Sequence, residues 1–142
     1  MKDARLKLEN QLCFPLYVAS KEVVKQYLPY LEEIDLTYTQ YIAMMVLWEH
    51  QSIVVKDLGG YLYLDSGTLT PLLKRLEGKG YIRRERSKED ERIVIISITP
   101  EGDALKDKAR EIPKQMAKCM PLTQEEAATL YALLYKLINR LK

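Results

Sequence analysis

Two cysteines, Cys13 and Cys119, a single histidine, His50, and ten tyrosines are the side chains here whose chemistry goes beyond packing and charge. A thiolate, not a thiol, is the nucleophile, so a reactive cysteine needs solvent access and surroundings that favour the anion. Cys13 lies in QLCFPLY, two residues before Pro15, a residue suited to the first turn of a helix. The positive end of a helix dipole would favour a thiolate there. Tyr17, four residues on, falls on the same helical face, within hydrogen-bonding range if the helix is continuous. The bland alternative is that Cys13 is a packing residue, since a lone cysteine on an apolar helix is usually buried.

Other chemistries are poorly supplied. One histidine and two cysteines do not make a zinc site, and no Ser–His–Asp set can be assembled around His50 alone. DLGGYL at 57–62 matches neither glycine-rich phosphate pattern, so no metal and no cofactor are expected. A thiol peroxidase surrounds its cysteine with an activating arginine. Cys13 follows Glu9-Asn10-Gln11-Leu12, with no arginine near it, and an enzyme is not expected.

The longest readable unit is 65–99, DSGTLTPLLKRLEGKGYIRRERSKEDERIVIISIT. Leu69, Leu72, Leu73 and Leu76 give one apolar helical face. Asp65 can cap its start, Leu64 and Leu69 can form a hydrophobic staple, and Gly78 or Gly80 can end it. Pro71 leaves two starts open. From Asp65 the proline falls in the second turn and removes a hydrogen bond; from Thr70 it takes the favoured first position. The opposite face carries Ser66, Thr68, Thr70, Lys74 and Arg75. Two strands follow, YIRRERS and RIVIISI, joined by a charged loop. Residues 72–88 hold seven basic and two acidic side chains, a local +5 in a chain of formal net charge +2. A polar, basic helix leading into a basic hairpin suits nucleic acid, whereas a module binding only protein would not need that charge.

The remaining elements frame that unit. Residues 3–31 read as one long helix or two pieces, interrupted at Pro15 and Pro29. Thr39 looks like the cap of an apolar helix, TQYIAMMVLWEH, ending near His50. SIVV at 52–55 can add an edge to a small sheet, and VKDLGGYLYL reads as a short helix weakened by Gly59 and Gly60. With the next helix it gives helix-turn-helix spacing. Thr99-Pro100-Glu101 starts a helix running to about Lys118, with a disturbance at Pro113. Thr123 and Glu126 form a capping box ahead of a stripe from Leu130 to Leu141.

These elements fit a single domain at 1–142, mainly α with a small β-hairpin (α+β). No apolar run approaches the ~20 residues of a membrane span. MKDARLKLENQ lacks a signal core, so a cytoplasmic protein without a structural disulfide is expected. The apolar terminal stripes, at about 3–31 and 100–141, suit a homodimer.

The order and several segments resemble the MarR family of winged-helix regulators. LDSGTLTPLLKRLE, the following GY, and DERIVIISITPEG carry the likeness, with Asp90 and Arg92 in the family's wing pattern. Within it the chain looks closest to the OhrR branch, on QLCFPLY with Cys13 and Tyr17, on Tyr27 and Tyr38, and on YLDSGTLTP. The resemblance implies a winged helix-turn-helix at about 39–99 and a dimeric repressor of a pseudo-palindromic operator. It implies release of the double-stranded DNA when an organic hydroperoxide or other oxidant reacts with Cys13. Tyr17, Tyr27 and Tyr38 would support the thiolate. Tyr27 lies fourteen residues along from Cys13, about 21 Å of unbroken helix, so it would have to come from the other subunit. Cys119 would be the resolving thiol, a small thiol being the alternative. Ser66, Thr68, Thr70, Arg75, Arg86 and Arg92, with Asp90 orienting Arg92, would meet the DNA. Two other readings stay open: a MarR-like repressor released by a small aromatic ligand, with Cys13 inert, and the thiol peroxidase.

Overall fold

The computed structural model describes residues 2–142, which form seven α-helices and a three-stranded antiparallel sheet. Helix α1 spans Cys13–Glu32 and starts ten residues later than the helical reading of 3–31. Two short 3-10 turns, Ala4–Leu6 and Leu8–Asn10, precede it. The Asn10 and Gln11 side-chain amides pin them by donating to the Ala4, Arg5 and Lys7 carbonyls. Pro15 sits at the third position of α1, where no intrahelical acceptor awaits its missing N–H, and the helix passes it unbroken. Pro29 lies in the last turns, and α1 ends soon after it.

Helix α2 (Tyr38–His50) is capped by Thr37 and not by Thr39. Thr37 Oγ1 accepts from Gln40 N at 3.2 Å, and Gln40 Oε1 accepts from Thr37 N at 3.0 Å. The reciprocal pair decides the start, because the residue three beyond Thr37 is a glutamine and the residue three beyond Thr39 is Ile42. Tyr41, Ala43, Met44 and Leu47 of α2 are buried at the centre of the molecule.

Strand β1 (Ser52–Val54) pairs with β3 (Val94–Ile98), which also pairs with β2 (Ile82–Arg86). The expected hairpin is therefore widened by the SIVV segment, and β3 is the central strand. Helix α3 (Val55–Leu62) leads through a left-handed Tyr63, φ +56°, into α4 (Ser66–Gly78). Gly59 permits that tight turn: a Cβ there would lie 2.9 Å from the Leu64 carbonyl oxygen and 3.4 Å from the Leu69 side chain. Helix α4 starts at Asp65, whose carboxylate accepts from Thr68 N at 2.9 Å, so Pro71 stands in the second turn and Thr70 is not a cap. The helix closes through Gly80 rather than Gly78. Gly80 has φ +82°, and Tyr81 N reaches back to the Leu76 carbonyl at 3.1 Å.

The expected helix from Pro100 to Lys118 is two helices, α5 (Pro100–Ala109) and α6 (Glu111–Cys119). Pro113 cannot donate to the Ala109 carbonyl and its ring crowds that oxygen, which ends α5 at Ala109 and breaks the helix at Arg110. Helix α7 (Gln124–Leu141) carries the expected Thr123–Glu126 capping box. One junction locks sheet to helices: Thr99 Oγ1 donates to the Gly80 carbonyl at 2.6 Å and accepts from Gly102 N at 3.0 Å. Trp48 Nε1 donates to the Gly102 carbonyl at 2.9 Å.

The core runs from Leu31 at the end of α1 and Ile34 in the turn after it, through α2 and the four α4 leucines, to Ile82, Ile96, Ile112 and Met116. Helix α7 buries none of its residues. At the other end of the chain Leu6, Leu12, Phe14 and Leu16 are also exposed. The start of the N-terminal stripe and the apolar face of α7 are therefore uncovered in one copy of the chain, while the rest of each stripe packs on the core.

Candidate functional site

The four α4 leucines lie inward, so Ser66, Thr68, Thr70 and Arg75 are left on the exposed face. None of these four is drawn into a core contact, and Arg75 makes no ion pair among the described residues. The wing between β2 and β3 is held by its own hydrogen bonds. Ser87 Oγ accepts from Glu89 N and Asp90 N at 3.2 and 3.3 Å. Asp90 holds the Arg92 guanidinium with both oxygens, each at 3.1 Å, and also accepts from Arg92 N. Those bonds hold the Asp90 carboxyl below the usual carboxylate range. The Arg92 side chain is 90% exposed, an oriented cation at the wing tip. Ser66 and Arg92 line one open groove of about 960 Å³ between α3, the start of α4 and the wing. Arg86, by contrast, already donates to the Glu91 carbonyl at 2.8 Å, so it shapes the wing as well as presenting charge.

Cys13 is exposed at the first position of α1. Tyr17 lies one turn on but makes no hydrogen bond to the thiol among the described residues; the Lys21 ammonium sits 4.9 Å from its ring centre. Tyr27 and Tyr38 do come together, with ring centres 4.9 Å apart, but far from this chain's own Cys13. Since α1 is continuous, the fourteen residues between Cys13 and Tyr27 span about 21 Å. Burial pushes both phenols up from the ordinary tyrosine range, with Tyr38 adding to the shift of Tyr27. They are proton-bearing donors at neutral pH, the form that can hold an anion.

Cys119 ends α6 and is exposed, and the two thiols of one chain do not meet. Its Sγ lies 3.7 Å from the Tyr30 hydroxyl. Tyr30 is seventeen residues beyond Cys13 on the same helix, about 25 Å of rise, whereas a disulfide needs its Cα atoms within about 7 Å. Tyr30 escaped the sequence reading because nothing in local spacing joins residue 30 to residue 119. Tyr41 escaped it too: it packs 5.8 Å from Tyr27 and 6.3 Å from Tyr38, completing a three-ring cluster. Among the described residues there is no metal-ligating cluster, and no helix is long and apolar enough to cross a membrane.

The family model described as transcriptional regulator SarA/Rot matches residues 25–109. An organic hydroperoxide resistance transcriptional regulator of Bacillus subtilis is 51% identical over 136 residues, 96% of this chain and 92% of that one. The solved structure of reduced AbfR bound to DNA superposes with a TM-score of 0.83 at 34% identity, covering 99% of this chain and 96% of that one. AbfR in its disulfide form, a protein known from Staphylococcus epidermidis, gives 0.69 at 36% identity over 97% of both chains. The likeness covers nearly the whole chain, so the chain belongs to the SarA/Rot and MarR-type winged-helix transcriptional regulators and is of the organic hydroperoxide, or OhrR, type.

Proposed function

We propose that the chain works in the cytoplasm as a homodimer that represses from a pseudo-palindromic operator and releases it when Cys13 is oxidised. The two α4 helices enter successive major grooves, with Ser66, Thr68 and Thr70 bonding phosphates or bases and Arg75 reading guanine. The wings reach the flanking minor grooves with Arg86 and Arg92, the latter oriented by Asp90. The chain's role is to bind and release, not to turn substrate over.

The observation that carries this reading is the position of Cys13. It is exposed at the start of α1, beside apolar side chains that one chain leaves uncovered and a second copy would cover. In such a dimer Tyr27 of the partner subunit and Tyr38 of the partner subunit reach the thiol that their own chain cannot offer them. The Cys13 thiolate attacks the distal oxygen of an organic hydroperoxide; the O–O bond breaks and the alkoxide leaves as the alcohol with a proton. The resulting sulfenic acid condenses with Cys119 of the partner subunit, or with a small thiol, losing water. The tyrosine contacts are lost, the helices of the interface shift, and the two α4 helices no longer match the half-sites.

The test is operator binding by fluorescence anisotropy, before and after stoichiometric cumene hydroperoxide, for the native protein and for Cys13→Ser. Release by the native protein and retention by Cys13→Ser are expected. A Cys13→Ser dimer that still lets go of DNA on peroxide treatment would sink the proposal. Release of Cys13→Ser by a phenolic ligand instead would point to small-molecule control.

A further inference from the structure

The Cys119 thiol has one hydrogen-bonding side-chain partner among the described residues, the Tyr30 hydroxyl, and it is not the group that the sequence pointed to. From the geometry we infer that Tyr30 is the positioning residue of the resolving step: its hydroxyl holds the Cys119 sulfur at the end of α6 and donates to it as the thiolate that attacks the oxidised Cys13. The inference rests on the reading of Cys119 as the resolving cysteine, and adds the residue that readies it.

Three observations lead there. The Tyr30 ring packs against the core while its hydroxyl emerges beside α6, so the donor has a fixed seat. The 3.7 Å separation is a hydrogen-bonding distance for sulfur, and towards a thiolate only the phenol can donate. The hydrogen bond to Cys119 pushes the Tyr30 phenol up from its ordinary range, so the hydroxyl keeps its proton at neutral pH.

The placement of Cys119 gives such a donor something to offset. It is the last residue of α6, where unpaired carbonyls give the negative end of the helix dipole. That end disfavours an anion, the opposite of the setting of Cys13 at the start of α1. The two thiols therefore stand at opposite poles of their helices. The one at the disfavoured pole has a phenol against it. In the resolving step the Cys119 thiolate gives its electron pair to the Cys13 sulfenic sulfur. The S–S bond forms as the S–O bond breaks, and hydroxide leaves, taking up a proton as water. The two electrons removed from the thiols have gone to the hydroperoxide in the preceding step, so no further oxidant is needed. Tyr30 donates throughout and is not consumed.

Two measurements on the full chain separate this inference from the reading beneath it. In a Cys13→Ser background, the rate at which iodoacetamide alkylates Cys119, read by intact-mass spectrometry, reports the hold of Tyr30 without any involvement of the sensing step. Tyr30→Phe, which keeps the ring in the core, is expected to slow alkylation roughly three- to tenfold, the effect of one charge-assisted hydrogen bond. In the protein with both cysteines, one equivalent of cumene hydroperoxide with dimedone present should give Tyr30→Phe more trapped Cys13 adduct and less disulfide-linked dimer. A merely structural role would lower the melting temperature but leave the partition between adduct and disulfide alone. Unchanged or faster alkylation in Tyr30→Phe overturns the inference. If Tyr30→Phe slows alkylation but no disulfide forms even with Tyr30 in place, it is the resolving role of Cys119 that fails.

Discussion

Lys79 Nζ, at the C-terminal cap of α4, donates to Gln40 Oε1 at 3.1 Å and to the Asp35 carbonyl at 2.5 Å. Gln40 is 2% exposed, and the same oxygen accepts from Thr37 N to start α2. One side-chain oxygen thus ties the end of the exposed helix to the turn that sets Tyr38. Asp35 adopts φ +54° in that turn, and its carboxylate lies 3.6 Å from the same ammonium. Lys79→Met keeps most of the apolar stem and removes the donor, leaving the buried Gln40 oxygen with Thr37 N alone and the Asp35 carbonyl without the ammonium. A loss of about 1–3 kcal/mol is expected from the urea midpoint at fixed protomer concentration. An unchanged midpoint would mean that solvent replaces the ammonium freely.

The legibility of the chain followed the range of the forces involved. Asp65, Thr99 and Thr123 were readable as caps because capping is settled within four residues. The α4 leucines were readable because a helix repeats its burial every three or four positions. Thr39 misled because a threonine alone is half a signal, and Gln40 decides for Thr37. Pro113 showed its effect at Arg110, one turn away from the residue that causes it. At the candidate site, the exposed α4 face and the Asp90–Arg92 clasp could be foreseen, being local. The Tyr30–Cys119 contact and the place of Tyr41 beside Tyr27 and Tyr38 could not, since they depend on how α1, α2 and α6 pack.

The tyrosine cluster should make the fold alkali-sensitive. Burial first, then the charges that Tyr27 and Tyr38 would carry, push Tyr41 up to about 12. A phenol whose folded value is raised contributes stability that is complete below its ordinary value near 10, and loses it as pH climbs through the folded value. The urea midpoint is therefore expected to fall between pH about 10 and about 12. In Tyr41→Phe it should fall less steeply over that window. Equal slopes in the two proteins would count against the cluster as the source.

At the wing, Arg92→Ala should weaken operator binding and flatten its dependence on salt. Each phosphate contact contributes about 0.9 to the slope of log affinity against log salt, so losing one per wing lowers it by about two per dimer. Asp90→Asn keeps the arginine but weakens its clasp, and should reduce affinity with little change of slope. The measurement is anisotropy with operator DNA across a salt series. A slope untouched by Arg92→Ala would take that residue off the phosphates.

Helix α7 offers the sharpest test of assembly, because its apolar face is left uncovered among the described residues. Leu130, Leu133 and Leu137 repeat at helical spacing and are 42%, 53% and 41% exposed, while the helix buries no residue at all. Apolar surface of that regularity costs roughly 25 cal/mol per Å² when left in water, so the helix gains most by finding a second copy. Leu133→Glu places a charge in the middle of the stripe without touching the core, which lies in α1 to α6. The expected result is a folded monomer by sedimentation, with the Trp48 emission of the native core retained and operator affinity down by at least a hundredfold, since two half-sites are no longer held together. A variant that stayed dimeric would assign the stripe to packing on its own chain, and the dimer would have to be built from α1 alone.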